Sequence, residues 1–310
     1  MKKITIIGPC YNESENIDEY LKRIIKILEK LKLDYQIILV DDGSIDTTWN
    51  KILENSNKNI NIHGIKFTRN FGHQSAIMAG INFADSEYVF FSDVDLQDPP
   101  ELLEQMFEKI THNKLDAVFG KRSKNKEGFF KKYSSIAFYK FFNVISNTKI
   151  SEQTSDFILI NQKVLIELKK IKDKDIFLRG LIPWFGFNIG YVEFQREKRK
   201  KGNSGWSISK MLEFSLTALL SFSNFPMRLS FILSLISIIS FVTLTFFALF
   251  SYISMDVVKG WTSLFLVISF FNTIIFFVLG IMAEYVGRIY LNSKDKPLYV
   301  VDQVSKVDEN

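Results

Sequence analysis

Short apolar runs alternate with helically spaced apolar positions over the first two hundred residues. Ile4–Ile7 is a β-branched run that stops at Gly8-Pro9, and it predicts a strand. Ser14 then opens a predicted helix, with Ile17, Leu21, Ile24, Leu28 and Leu31 recurring on one face. Tyr35–Val40 predicts a second strand, ending at Asp41-Asp42-Gly43-Ser44. Ile62–Thr68 and Tyr88–Ser92 predict two more, with a helix over Gln74–Ala84 between them. Asp98-Pro99-Pro100-Glu101 spells a helix start, with Asp98 as the N-cap. Ala117–Gly120, Phe157–Ile160 and Ile189–Phe194 are later strand candidates. Such alternation implies an α/β fold whose mostly parallel sheet is covered on both faces. Ligands of such sheets bind beyond the carboxyl ends of the strands. The polar clusters Pro9–Glu13, Asp41–Ser44 and Asp93–Asp98 stand at those ends.

The pattern changes near residue 206. Residues 206–227 predict a largely apolar helix with one polar side, suited to a membrane interface. Leu229–Met255 and Gly260–Ala283 then give 27 and 24 residues without a charged side chain or histidine. Roughly 20 residues suffice to cross a ~30 Å hydrocarbon core as a helix. Two such runs joined by a few residues predict a transmembrane hairpin over residues 228–284. Its flanks are basic, with Lys198–Lys201, Lys210 and Arg228 before it and Arg288, Lys294 and Lys296 after it. The positive-inside bias therefore places both termini in the cytoplasm. The expected organisation is an α/β domain at 1–205, the interfacial segment, the hairpin, and a cytoplasmic tail at 285–310. The expected location is the inner (plasma) membrane.

Composition narrows the chemistry. At 47% hydrophobic and 24% charged residues, the chain of 310 is not a disordered one. A single cysteine, Cys10, excludes an intramolecular disulfide and cysteine-based zinc sites. No glycine-rich phosphate loop follows any predicted strand, which argues against dinucleotide enzymes and P-loop NTPases. A net charge of +5 is mild, and nothing in its distribution asks for nucleic acid.

The strongest chemical signal is Ser92-Asp93-Val94-Asp95-Leu96-Gln97-Asp98. If the chain turns after the strand, the oxygens of Asp93, Asp95 and Gln97 can converge on one hard cation. Mg²⁺ or Mn²⁺ suits such oxygen ligands and is commonly shared with substrate phosphates. The plainer alternative is an acidic loop capping the next helix. Asp41-Asp42-Gly43-Ser44 is also ordinary turn chemistry, although beside the first cluster it could contact a nucleotide base or ribose, and Asn12–Glu15 likewise combines capping with potential ligand contacts. The basic run Arg196–Lys201 suits both anionic lipid and phosphate.

These motifs together resemble family-2 glycosyltransferases. The residues that carry the likeness are Pro9–Glu13, Val40–Ser44 with Asp46, Arg69–Gln74, Asp93–Pro100, Phe177–Gly180 and the basic segment running into Gly202–Trp206. More narrowly, the chain is similar to polyprenyl-phosphate glycosyltransferases, of the bactoprenol glucosyltransferase and dolichol-phosphate mannose synthase type. The resemblance implies a GT-A fold that binds a nucleotide-sugar, Mg²⁺ or Mn²⁺, and the phosphate of a polyprenyl lipid. It implies that Pro9, Tyr11, Glu13 and Asp41 hold the nucleoside. Asp93, Asp95 and Gln97 would hold the metal and donor diphosphate, with Val94 beside them. Arg122 would lie near both phosphates, Lys132 and Ser135 at the acceptor phosphate, Asp156 at the transfer centre, and Arg199 in a segment closing over the donor. Lys132 stands where arginine is frequent, and Gly205-Trp206 follows where a lysine–aromatic pair is frequent. The favoured activity is inverting transfer of glucose from UDP-glucose to undecaprenyl phosphate for cell-envelope glycans. UDP-N-acetylglucosamine, UDP-galactose and GDP-mannose are the alternative donors. A non-enzymatic rival is a membrane-anchored nucleotide-binding scaffold. A homo-oligomer is left open.

Overall fold

The computed structural model describes residues 3–123, 154–171, 176–195, 260–293 and 296–305, with isolated helical positions at 236, 239, 242, 243 and 246. Lys132, Ser135, Arg199, the interfacial segment 206–227 and nearly all of the first apolar run lie outside the described residues. The chain divides into two compact units, Met1–Glu213 with Pro297–Asn310, and Phe214–Lys296.

The first unit is built on one eight-stranded sheet. Its elements run β1 (Lys3–Cys10), α1 (Ile17–Lys30), β2 (Asp34–Asp41), α2 (Thr48–Lys58), β3 (Ile62–Phe67), α3 (His73–Phe83), β4 (Tyr88–Phe91) and α4 (Leu102–His112). There follow β5 (Ala117–Arg122), β6 (Thr154–Asn161), α5 (Gln162–Lys169), α6 (Leu178–Trp184), β7 (Ile189–Phe194) and, after the second unit, β8 (Val301–Ser305). The strand order is β7-β5-β6-β4-β1-β2-β3-β8. β2, β1 and β4 are parallel neighbours, as are β2 with β3 and β5 with β7. Only β6 and β8 run against their partners.

Alternation along the strands feeds two faces. Ile4 and Ile6 of β1 pack in one cluster with residues of α1, α2 and α4, whereas Ile7 packs in another with α3, α5 and α6. The expected helical face of α1 is buried at Ile17, Leu21, Ile24 and Leu28. The helix begins three residues after Ser14, with Asn16 at its N-cap position. Asp98 does not cap α4: that helix starts at Leu102, preceded by tight turns from Pro99 and Pro100.

Residues 285–310 are not a plain tail. Val301–Ser305 adds a strand to the sheet edge, antiparallel to β3. Ser305 Oγ accepts from the Gly64 amide at 2.6 Å, Gln303 Oε1 accepts from Trp49 Nε1 at 2.8 Å, and Tyr299 stacks on Phe67 at 5.0 Å between ring centroids. An exposed β3 edge is thereby covered. The sequence signal is weak because Asp302 and Gln303 interrupt a five-residue strand that is buried mainly at Ser305.

The second unit contains α7 (Trp261–Ser293), which runs ten residues beyond the expected end of the second apolar run. Its 33 residues span about 50 Å. Within it, Phe270–Gly287 has a mean hydropathy of 1.7, and none of that stretch is buried. It is one helix long and apolar enough to cross a membrane. Among the described residues no second such helix is present, so the hairpin is not established by the fold.

Candidate active site

Parallel strands bring β1, β2, β3 and β4 to one edge of the sheet with their carboxyl ends together. β6 is antiparallel to β4, so its start lies at that same edge. Phe91 pairs with Ile158, and continuing that register sets Asp93 opposite Asp156. Lys121 pairs with Thr154, which brings Arg122 at the end of β5 to the same place. Residues 93, 122 and 156 thus meet because of strand direction, although they are far apart in sequence.

The loops after β1 and β2 are laced together. Asn12 donates its amide to Ser44 Oγ at 2.9 Å and accepts from the Ile45 amide through Oδ1 at 3.0 Å. The Glu13 amide donates to Thr48 Oγ1 at 2.9 Å, and Asp46 accepts from the amides of Ser14 and Thr48. Burial opposes ionisation of Asp46, but these hydrogen bonds prevail and hold its carboxyl below the ordinary range. Pro9 lies within β1 beside Val40, while Tyr11 is half exposed. Asp41 is fully buried: Oδ1 accepts from the Ser44 amide, and Oδ2 meets no hydrogen-bond partner among the described residues. Burial pushes its carboxyl up.

Asp42 performs a separate task that the sequence reading missed. Its carboxylate accepts from the amides of Phe71 and Gly72, at 2.7 and 3.0 Å. Gly43 beside it has φ +69°, and a Cβ there would collide with the backbone of Arg69 and Asn70. Asp42 and Gly43 therefore fix the entry to α3. That entry presents His73 and Gln74: His73 Nε2 lies 3.5 Å from Asp93 Oδ1, and Gln74 Nε2 donates to Asp156 Oδ2 at 3.3 Å.

After β4 the chain does turn, with Leu96 at φ +58° and Asp95 Oδ1 accepting from the Gln97 amide at 3.0 Å. Asp93 and Asp95 remain partly exposed on either side of buried Val94. The Val94 side chain belongs to the core. Gln97 is buried. Asp98, instead of capping a helix, lies buried with Oδ2 3.0 Å from Arg122 Nη2. Asp156 Oδ1 lies 3.0 Å from Arg179 Nε.

Two of the four carboxylates in this cluster thus have an arginine. Asp93 and Asp95 have neither Arg nor Lys as an ion-pair partner among the described residues. Burial raises the Asp93 pKa to about 6; His73 opposes the rise, while Asp95, Asp98 and Asp156 add to it. An excess of negative charge around a partly open carboxylate is the environment a divalent cation relieves. Among the described residues no three His, Cys, Asp or Glu side chains form a ready metal cage. The side chains that Asp93, Asp95 and Gln97 bring to this edge carry oxygen ligands, the chemistry that a hard Mg²⁺-type cation takes. His73, Gln74 and Arg179 lie in motifs that the family resemblance brings out, but their spacing alone assigns them no role.

A family model described as glycosyl transferase family 2 matches residues 5–169. An uncharacterised glycosyltransferase of Bacillus subtilis is 36% identical over 96% of this chain and 93% of its own length. A prophage bactoprenol glucosyl transferase homolog of Escherichia coli is 32% identical over 98% of this chain and 100% of its own. The bactoprenol glucosyl transferase of Shigella phage SfV is 32% identical over 96% and 98%. A solved glucosyl-3-phosphoglycerate synthase from Mycobacterium tuberculosis, in complex with Mn²⁺ and uridine-diphosphate-glucose, has a TM-score of 0.49 at 17% identity over 71% of this chain and 79% of that one.

Proposed function

The chain belongs to glycosyltransferase family 2, and on that premise we propose that it moves a hexose, glucose from UDP-glucose in the favoured case, to polyprenyl phosphate at a membrane surface. One observation carries the reading. The likeness to bactoprenol glucosyl transferases runs through 96% or more of this chain, past the family-2 segment and across the apolar helix Phe270–Gly287. The acid cluster at the sheet edge supplies the matching chemistry.

In this scheme Asp93, Asp95 and Gln97 would hold a divalent ion, Mg²⁺ or Mn²⁺, at the donor site. When bound, that ion supplies Lewis-acid stabilisation of the charge developing on the leaving group. Pro9, Tyr11, Glu13 and Asp41 border the nucleoside from the laced loops. Arg122 places a fixed cation at the same edge, Arg199 belongs to the segment that closes over the donor, and Lys132 and Ser135 receive the acceptor phosphate. A phosphate monoester already carries more than one negative charge near pH 7, so its oxygen attacks without a general base. The new bond joins that oxygen to the anomeric carbon. The bond from carbon to diphosphate breaks, and the nucleoside diphosphate leaves with the electron pair. Direct displacement inverts the configuration. Asp156 orients the reactants and stabilises positive charge on the sugar.

A polyprenyl phosphate keeps its tail in the bilayer, so the site must be held at the headgroups. The apolar helix, paired with the run at 229–255 as a hairpin and preceded by the interfacial segment 206–227, does this with both termini in the cytoplasm.

Purified full-length protein, polyprenyl phosphate and a panel of nucleotide-sugars test the reading. The expected product is a β-linked lipid phosphate from an α-linked donor, formed best from UDP-glucose. Its formation is lost with EDTA and restored by Mg²⁺ or Mn²⁺. Failure to form a lipid-linked sugar from any donor would overturn the proposal, and retained configuration would overturn the single displacement.

A further inference from the structure

Arg179 is a largely buried cation at the edge of the acid cluster, and the transfer chemistry above gives it no task. It is the second residue of α6 (Leu178–Trp184), so its backbone is fixed by a helix whose Leu178 and Ile182 are buried in the core. Its side chain does two things at once. Nη1 donates to the Thr154 carbonyl at 3.1 Å, which ties α6 to the start of β6. Nε lies 3.0 Å from Asp156 Oδ1, and the guanidinium centre stands 5.2 Å from the Phe177 ring centroid. The other oxygen of the same carboxylate, Oδ2, accepts from Gln74 Nε2 of α3 at 3.3 Å. Asp156 is therefore held on both oxygens, from two helices on different stretches of chain.

We propose that Arg179 is a positioning residue for glycosyl transfer, whose guanidinium, with the Gln74 amide opposite, fixes the plane of the Asp156 carboxylate beside the Asp93–Asp95 cluster. This deepens the reading above and rests on it. A carboxylate at a strand end turns about two side-chain bonds, and one contact would leave its plane free. Two contacts on two oxygens remove that freedom. The Gln74 hydrogen bond uses one of the carboxylate's roughly four acceptor positions and the Arg179 ion pair holds the other oxygen by charge, leaving room for a sugar or acceptor group. With both oxygens engaged by Arg179 and Gln74, Asp156 suits orientation and charge stabilisation in the transition state. Lysine at position 179 would keep the charge but could not maintain the bond to Thr154 and the contact with Asp156 in one planar fork.

A merely structural clip would act through the Thr154 bond alone, and kinetics separates the two. Full-length enzyme in detergent, with the donor it turns over and polyprenyl phosphate, is compared with Arg179→Met and Arg179→Lys. Arg179→Met is expected to lower kcat by about 10²-fold, the scale of a misplaced reacting group. Donor KM and UDP affinity should stay within about twofold, the signature of an interaction expressed only in the transition state. Arg179→Lys should recover about tenfold of that loss by restoring charge without the fork. In an Asp156→Asn background, Arg179→Met should cost little more, because the two residues act as one unit.

Equal losses of kcat in both backgrounds would overturn the inference. So would an unchanged kcat, or a loss accompanied by equal weakening of UDP binding and a lowered melting temperature. Wild-type protein that makes no lipid-linked sugar would overturn the functional reading and this inference with it. Wild-type turnover with an indifferent Arg179→Met overturns the inference alone.

Discussion

Asp93→Asn should give a protein that, free of metal, melts a few degrees higher than the parent at pH 7.5 and yet transfers no sugar. The physical reason is the raised Asp93 pKa of about 6, set by burial and by the acids around it. A carboxyl group whose folded pKa lies above its unfolded value opposes folding when ionised. The cost is fully present above pH 6 and fades as pH falls towards the ordinary carboxylate range. The metal-free parent should therefore gain stability from this group on acidification from pH 7.5 to 5, and the asparagine variant should lack that gain. The Asp93 side chain is one-third exposed, so solvent screening keeps the effect modest. With Mn²⁺ and UDP added the order should reverse, since ligands that bind only the folded state stabilise it by mass action. Turnover should fall on the order of 10³-fold or more, given how much one fixed group aimed at developing charge contributes. Melting curves at two pH values, with and without Mn²⁺ and UDP, and a transfer assay check all of this. A variant that melts lower than the parent at pH 7.5 without metal would refute the electrostatic account.

The second large effect is at Arg122. Arg122→Met removes one ion-pair partner of Asp98, a carboxylate that is only 3% exposed. Breaking a buried pair is costly, but Arg122 itself is one-third exposed, so a loss of about 2 kcal/mol is expected rather than the full buried value. Activity should fall about 10²-fold through the missing cation at the phosphates. The double variant Asp98→Asn/Arg122→Met separates the two roles. It should recover part of the stability, because one buried negative charge is removed together with its cation, and none of the activity. Denaturant titration beside the transfer assay reads both. If the double variant regained turnover, Arg122 would serve only to neutralise Asp98.

The strands around the site were legible because each is a short, nearly continuous apolar run, and such runs survive burial on both faces. Ile189–Phe194 matches to the residue, while Lys3–Cys10 and Thr154–Asn161 extend beyond their apolar centres into the polar ends that carry function. The acid pair at 93 and 95 was legible for the same reason: a turn after an apolar strand leaves its charges at the sheet edge. Asp98 was misassigned because Asp-Pro-Pro-Glu fits a helix start equally well, and only the antiparallel return of β6 brings Arg122 within 3.0 Å of it. Strand β8 was not legible at all, since its role depends on an edge of β3 that is remote in sequence. His73, Gln74 and Arg179 occupy their places through tertiary folding, and their local sequence carries helix and turn signals that conceal those roles.

The account rests on a divalent ion shared between Asp93, Asp95 and a donor diphosphate. Calorimetric titration of UDP into full-length protein, with and without Mn²⁺, in the parent and in Asp95→Ala tests this most directly. The expected result is binding at least about tenfold tighter with Mn²⁺ in the parent, and no Mn²⁺ effect in the variant. Equal UDP affinity in all four titrations would contradict it.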